Sequence, residues 1–311
     1  MKKKVWVGLA IGLAVALAAA FFDPSLHLLG FLRGEHFYQS RPTSYWKKAL
    51  RDQSATARTE TVRQLKEGGA AAVPVLIELL HEGKHADWSG AEARWMAAEI
   101  LGKFGSEAKA AVPALIAALQ DSDAHVRSVA ADALAGLGPD AVAAVPALVN
   151  MLTTDERLAA IKALRRFGPH AQPAVGALEL LLKDDDAAVR WQAAWTLGKI
   201  GPEAKSAVLA LTAATKDADP LVREHAAEAL GDIGPDAREA VPALIALLKD
   251  AEPKVRRDSA RSLGQMGSAA KAAIPALREL LPQESDPRVR EAGQKALRII
   301  DPQAGVGEKM K

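Results

Sequence analysis

Eight arginines set a period along this chain. Arg58, Arg94, Arg127, Arg157, Arg190, Arg223, Arg256 and Arg290 stand 36, 33, 30, 33, 33, 33 and 34 residues apart. Seven residues after each comes a leucine, from Leu65 to Leu297, and eleven after each comes a glycine, from Gly69 to Gly267, with Asp301 in the last copy. A tandem unit of this length cannot enclose a core alone, so its apolar faces must be covered by the copies on either side. Within one copy, Pro235 to Gly267, the stretches PDAREAVPALIALLKD and VRRDSARSLGQMG both carry apolar residues at helical spacing. Each copy therefore reads as an antiparallel helix pair. The chain is predicted to be an all-α solenoid of about eight pairs over residues 43–301, with a C-terminal tail at 302–311.

The punctuation agrees with this register. Glycine suits the left-handed position after a helix, and Pro139, Pro169, Pro202 and Pro235 follow it to open the next copy. Asp123, Asp186, Asp219 and Asp286 precede their arginines by four residues, where a carboxylate caps the second helix. Some copies depart from the pattern. The proline of the AVP segment at Pro74, Pro113, Pro146, Pro242 and Pro275 is replaced by Gly176 and Leu209, so those two helices are expected to run straighter. The copy at 139–168 is three residues short and has Thr153 in place of the aspartate. An insertion at residues 81–93 reads as a loop.

Composition narrows the chemistry. Hydrophobic residues make up 49% of the chain but aromatics only 5%, which suits closely packed helices with small side chains. No cysteine is present, so disulfide scaffolds, thiolate metal sites and a cysteine nucleophile are excluded. Lys plus Arg number 40 against 38 Asp plus Glu, and three of those cations are Lys2, Lys3 and Lys4, leaving 37 against 38 elsewhere. Such a balance does not call for a nucleic-acid partner.

Those three lysines precede an uncharged run, Val5 to Phe22, that closes at Asp23 and Pro24. At roughly 1.5 Å per residue the run is just long enough for a bilayer core of about 30 Å. Its length favours a membrane-anchoring helix over residues 1–22; a signal peptide cleaved before Phe21, with Ala18 and Ala20 as the small residues a peptidase needs, is the other reading. Both readings put the repeats outside the cytoplasm. Residues 23–42 lack a clear period and read as a juxtamembrane linker, whose aromatics either sit at the membrane interface or dock on the first helices.

The recurring pattern of Gly-Pro, AVPALIALLKD, Val-Arg and Ala-Leu-Gly resembles HEAT repeats, in particular the HEAT-like repeats first associated with phycobilisome lyases. The resemblance is specific for fold and weak for activity. It implies that the second helices line a concave surface. It also implies that arginines and aspartates of neighbouring copies form a structural ladder, here Arg94, Arg127, Arg157, Arg190, Arg223, Arg256 and Arg290 with Asp123, Asp186, Asp219 and Asp286. A lyase subunit acting on a protein-attached bilin or other tetrapyrrole is the enzymatic alternative that it brings in.

Counted from the arginine, positions −1, 3, 7 and 10 of the second helix are apolar, and positions 1, 5 and 8 point away from that core face. These outward positions change sign from copy to copy, which opposes a continuous phosphate-binding track and suits a polypeptide of mixed charge. Trp95, Trp191 and Trp195 stand among them, with Glu224 and Glu228 and then Arg257 and Arg261 in the following copies. Tryptophan is favoured at interface hot spots. The competing use of these indoles is packing between adjacent copies. His81, Glu82, His85 and Asp87 in the insertion have no rigid frame that would make them metal ligands. No catalytic residue set, metal or cofactor is identified. The expected activity is that of a non-enzymatic scaffold binding a protein or peptide partner.

Overall fold

A computed structural model of the chain describes residues 27–81 and 88–302. The run Val5 to Phe22, the insertion residues Glu82, His85 and Asp87, and most of the C-terminal tail lie outside the described residues. The chain forms two compact units, divided between Ala144 and Val145. The architecture is an all-α solenoid of seven regular helix pairs, with a shorter pair before them.

The first unit begins with helix α1 (His27–Leu32) and a hairpin of β1 (Phe37–Tyr38) and β2 (Arg41–Pro42), which pairs Phe37 with Pro42 and Tyr38 with Arg41. Helices α2 (Thr43–Leu50) and α3 (Ala55–Glu67) form the short pair. Part of the stretch expected to be a linker is thus ordered against the repeats. The Tyr38 hydroxyl donates to the Gln64 carbonyl at 3.2 Å, its ring meets that of Trp46 at 5.4 Å, and the His36 amide donates to Glu78. Phe31 and Leu32 remain exposed. The regular pairs of this unit are α4 (Val73–His81) with α5 (Trp88–Phe104), and α6 (Val112–Ala118) with α7 (Ala124–Leu137). Helix α5 begins inside the insertion, so residues 88–93 lengthen a helix where a loop was expected.

The second unit holds α8 (Val145–Met151) with α9 (Arg157–Phe167), α10 (Val175–Leu181) with α11 (Ala187–Ile200), and α12 (Val208–Ala214) with α13 (Pro220–Ile233). It closes with α14 (Val241–Leu247) paired with α15 (Pro253–Gln265), and α16 (Ile274–Gln283) paired with α17 (Pro287–Ile300). Within this unit each second helix packs on the next, in the order α9, α11, α13, α15, α17. The core follows the arginine register: Val189, Ala193, Leu197 and Ile200 of α11 are fully buried, as are Val222, Ala226 and Leu230 of α13.

The first helix of a pair is not one straight rod. A seven-residue 3₁₀ segment such as Gly201–Ala207 or Gly234–Ala240 precedes the α-helical part. The glycine that opens it has positive φ, 74° with ψ −140° at Gly201, a conformation that side chains disfavour. The break does not depend on the AVP proline. Ala207, ahead of the proline-free α12, has φ −84° and ψ 0°, and Ala240, ahead of the proline-bearing α14, has φ −83° and ψ −7°. The straighter helices expected around Gly176 and Leu209 are therefore not formed. Buried alanines sit at the break in both: Ala204 and Ala237 are fully buried, at φ near −90° with ψ of 15° and 18°.

Arginine and carboxylate tie successive copies together, although the carboxylates are not those expected. Asp123, Asp186, Asp219 and Asp286 accept from backbone N–H groups at the start of their own helices and act as caps. The ladder acids stand two residues earlier. Arg190 reaches Asp217 with two bonds of 2.8 and 2.9 Å, Arg223 reaches Asp250 at 2.8 and 3.0 Å, and Arg256 reaches Glu284 at 2.7 and 2.9 Å. In the first unit Arg94 holds Asp121 in the same way, and in the second Arg157 lies 3.3 Å from Asp184. Each ladder acid then accepts from the amide two residues on, as Asp217 does from Asp219 at 2.9 Å. One arginine thereby orients the capping residue of the next copy. Where Thr153 replaces that cap, α9 starts at Arg157 and has 11 residues against 14 in α11.

Second helices also meet at glycine. A Cβ built on Gly198 would lie 2.9 Å from the Ala229 Cα, and one on Gly264 would lie 3.0 Å from the Ala296 Cα. Position 8, expected to point outward, is the lateral contact with the next copy at Gly102, Gly198, Gly231 and Gly264. Measured against the core alone, position 8 looks free; in a stack it faces a third neighbour. Gly198→Ala is expected to destabilise the protein, by about 1 to 3 kcal/mol, because the added methyl overlaps backbone. Gly176→Ala in α10, where nothing lies within 4 Å, is expected to stabilise it by about 0.5 to 1 kcal/mol through helix propensity. Urea denaturation midpoints of the two variants should move in opposite directions.

Glu284 gives the ladder a pH signature. The Arg256 guanidinium holds its carboxyl at about 2, below the ordinary value of 4.5. A depressed acid contributes stability that is complete above its unfolded value and fades as pH falls toward its folded one. Glu284→Gln should therefore lower stability by about 2 to 3 kcal/mol at pH 7. The gap to the unmodified protein should shrink between pH 5 and about 2 when unfolding is followed across that range.

Candidate functional site

Within the second unit, the second helices bring most of the residues singled out in the sequence onto one neighbourhood. Trp191 and Trp195 are one turn apart on α11, with ring centroids 6.0 Å apart. His225 of α13 stacks on both, at 5.3 Å from each ring. Arg165 of α9 covers Trp195, its guanidinium carbon 3.8 Å from the ring centroid. Trp191 also rests on Ala214, Val222 and Ala226. Both indoles are half-buried: they join neighbouring copies and keep part of their surface open. Trp95 belongs to the first unit, where its ring meets His125 edge-on at 5.2 Å.

The acidic positions next to the indoles are already engaged. Glu228 accepts from Lys199 at 3.2 Å and bonds His225 Nδ1 at 3.1 Å, and these contacts hold its carboxyl at about 2. Lys199 also reaches Asp232 at 3.2 Å. Glu224 lies 3.7 Å from Arg257, while burial and the nearby Asp258 push its carboxyl up. Arg257 is in turn held by Asp258 through two bonds of 2.8 and 2.7 Å. So Glu228 with Lys199 ties α13 to α11, and Glu224 with Arg257 ties α13 to α15.

Arg261 differs. It is exposed on α15 and borders a cavity of about 690 Å³ shared with α17, together with Arg288, Lys295 and Glu291. Position 9 is more open than position 8: Lys199 and Gln265 at position 9 are exposed, while Gly198 and Gly264 are buried. Sequence reasoning passed over His225, Lys199, Asp232 and Arg288. The first three stand at positions 2 and 9, which a helix contacted on three sides leaves open. Arg288 precedes its arginine by two residues, outside the positions surveyed.

Among the described residues no group of three or more His, Cys, Asp or Glu is arranged to hold a metal ion. The helical run Ala124–Met151 has the length and hydropathy of a membrane span, but it is interrupted at Gly138, with φ 62° and ψ −137°.

A family model described as HEAT repeats matches residues 84–165, 155–213 and 208–298. No curated protein matches the sequence. Among solved structures, an engineered protein is 25% identical with a TM-score of 0.59, over 83% of this chain and 78% of the other. Kap95p, described in a structure with RanGDP, is 14% identical with a TM-score of 0.57, over 86% of this chain and 44% of the other. The complex of CpcE and CpcF of phycocyanin lyase from a Nostoc species is 22% identical with a TM-score of 0.41, over 79% of this chain and 97% of the other.

Proposed function

Because the chain belongs to the HEAT-repeat family, we propose that it is a non-enzymatic scaffold that binds a protein or peptide partner on the face formed by its second helices. The observation that carries this reading is the pair Trp191 and Trp195, held by His225 and Arg165 yet only partly buried. Large aromatic groups held rigid before binding lose little conformational freedom on docking, which is what an interface anchor requires. The similarity to Kap95p, whose structure describes binding that acts on RanGDP, is a precedent for the architecture and not for the partner. In this reading the uncharged run Val5 to Phe22 holds the repeats at a membrane, on the side away from the cytoplasm.

The acidic and basic positions divide their work. Glu224, Glu228 and Arg257 set the spacing of the helices, and Arg261 faces the partner. Capture from solubilised membranes with a Trp191→Ala/Trp195→Ala chain tests the anchor. Loss of a hot spot of about 2 kcal/mol corresponds to roughly thirtyfold weaker recovery. Recovery equal to that of the unmodified chain, with the variant's melting curve intact, refutes the assignment.

A further inference from the structure

The charged groups of the second unit are unevenly committed. Beside the indoles, the three partly buried carboxylates of α13 are all paired: Glu224 with Arg257, and Glu228 and Asp232 with Lys199. At the groove between α15 and α17 the balance reverses. Arg261, Arg288 and Lys295 line the cavity of about 690 Å³ beside the already paired Arg257, with no carboxylate within 4 Å of their charged nitrogens among the described residues, and Glu291 is the one acid in the lining. Two small residues that line it, Gly264 and Ala296, are buried against each other. At one end lies Ile299, 47% exposed and one of the few large apolar side chains left open in this unit.

We propose that this groove binds an acidic peptide segment of a partner protein, with glutamate or aspartate side chains between Arg261, Arg288 and Lys295 and an apolar side chain on Ile299. Three unpaired cations around one cavity form a local positive field that a run of carboxylates neutralises at short range. A nucleic acid fits the groove less well. Three unpaired cations beside one cavity are too few for the extended positive track that phosphate neutralisation needs, and a uniformly charged polymer has no use for Ile299. The inference rests on the reading that the second-helix face is a binding surface, but on different residues from the tryptophan anchor.

Fluorescence anisotropy of a labelled peptide of repeating Glu-Glu-Leu, added to the full chain, tests it. The peptide is expected to bind, with affinity falling as salt is raised. Arg261→Glu/Lys295→Glu and, separately, Arg288→Glu should weaken it by about tenfold per reversed charge. All three side chains are exposed, so the variants should melt as the unmodified protein does. Trp191→Ala/Trp195→Ala should bind the same peptide unchanged, so the groove and the tryptophan anchor fail independently. Absence of peptide binding, equal affinity of the charge-reversed chains, or equally tight binding of an oligothymidylate of matched charge each overturns the proposal.

Discussion

Everything in this molecule hangs on the contact between one helix pair and the next. A single pair has two apolar faces and only one partner helix of its own, so the stack supplies what the pair lacks. Two devices set the spacing. The bidentate bridges from Arg190 to Asp217, Arg223 to Asp250 and Arg256 to Glu284 work at the turn end of the second helices. The bare backbones at Gly198 and Gly264, pressed on Ala229 and Ala296, work nearer the opposite end. A bridge at one end and a close approach at the other fix both the distance and the angle between copies. The bridge is also wired to helix initiation, since each ladder acid orients the aspartate or glutamate that begins the next second helix.

Rigid spacing is what holds the side chains of the second-helix face in one arrangement. Side chains one turn apart on a helix are neighbours whatever the fold, but His225 reaches both Trp191 and Trp195 only because α13 is held close to α11. Lys199, Glu228 and Asp232 reinforce the same junction, and Arg165 closes it from α9. Charges consumed in this way are structural. Arg261, Arg288 and Lys295 stand outside such pairs, and the indoles and these cations occupy separate parts of the face.

The period, the helix pairing and the core were legible in the chain because they depend on local spacing: the leucine seven residues after each arginine is buried at Leu197, Leu230 and Leu263, with almost no exposure. The capping aspartates were legible for the same reason. What failed was whatever depends on a neighbour in space. The ladder partner of Arg190 lies 27 residues on, at Asp217, and nothing in the nearby sequence distinguishes it from the cap at Asp219. Glycine at position 8 looks like an outward position until the next copy is in place. Likewise the acids at Glu224 and Glu228 read as a free block, and only the packed helices reveal Arg257, Lys199 and His225 beside them. The break in each first helix was misjudged because proline was taken as its cause, whereas it forms equally ahead of the proline-free α12, with buried Ala204 at the break.

The most direct measurement of the central idea is a double-mutant cycle across one junction, combining Arg223→Met with Asp250→Asn and following unfolding in urea. If the ladder couples adjacent copies, the two substitutions together should cost clearly less than the sum of each alone, with an interaction energy of about 1 to 3 kcal/mol. Strict additivity would mean that the stack is held by apolar contact alone and that the ladder has no part in setting the geometry of the face.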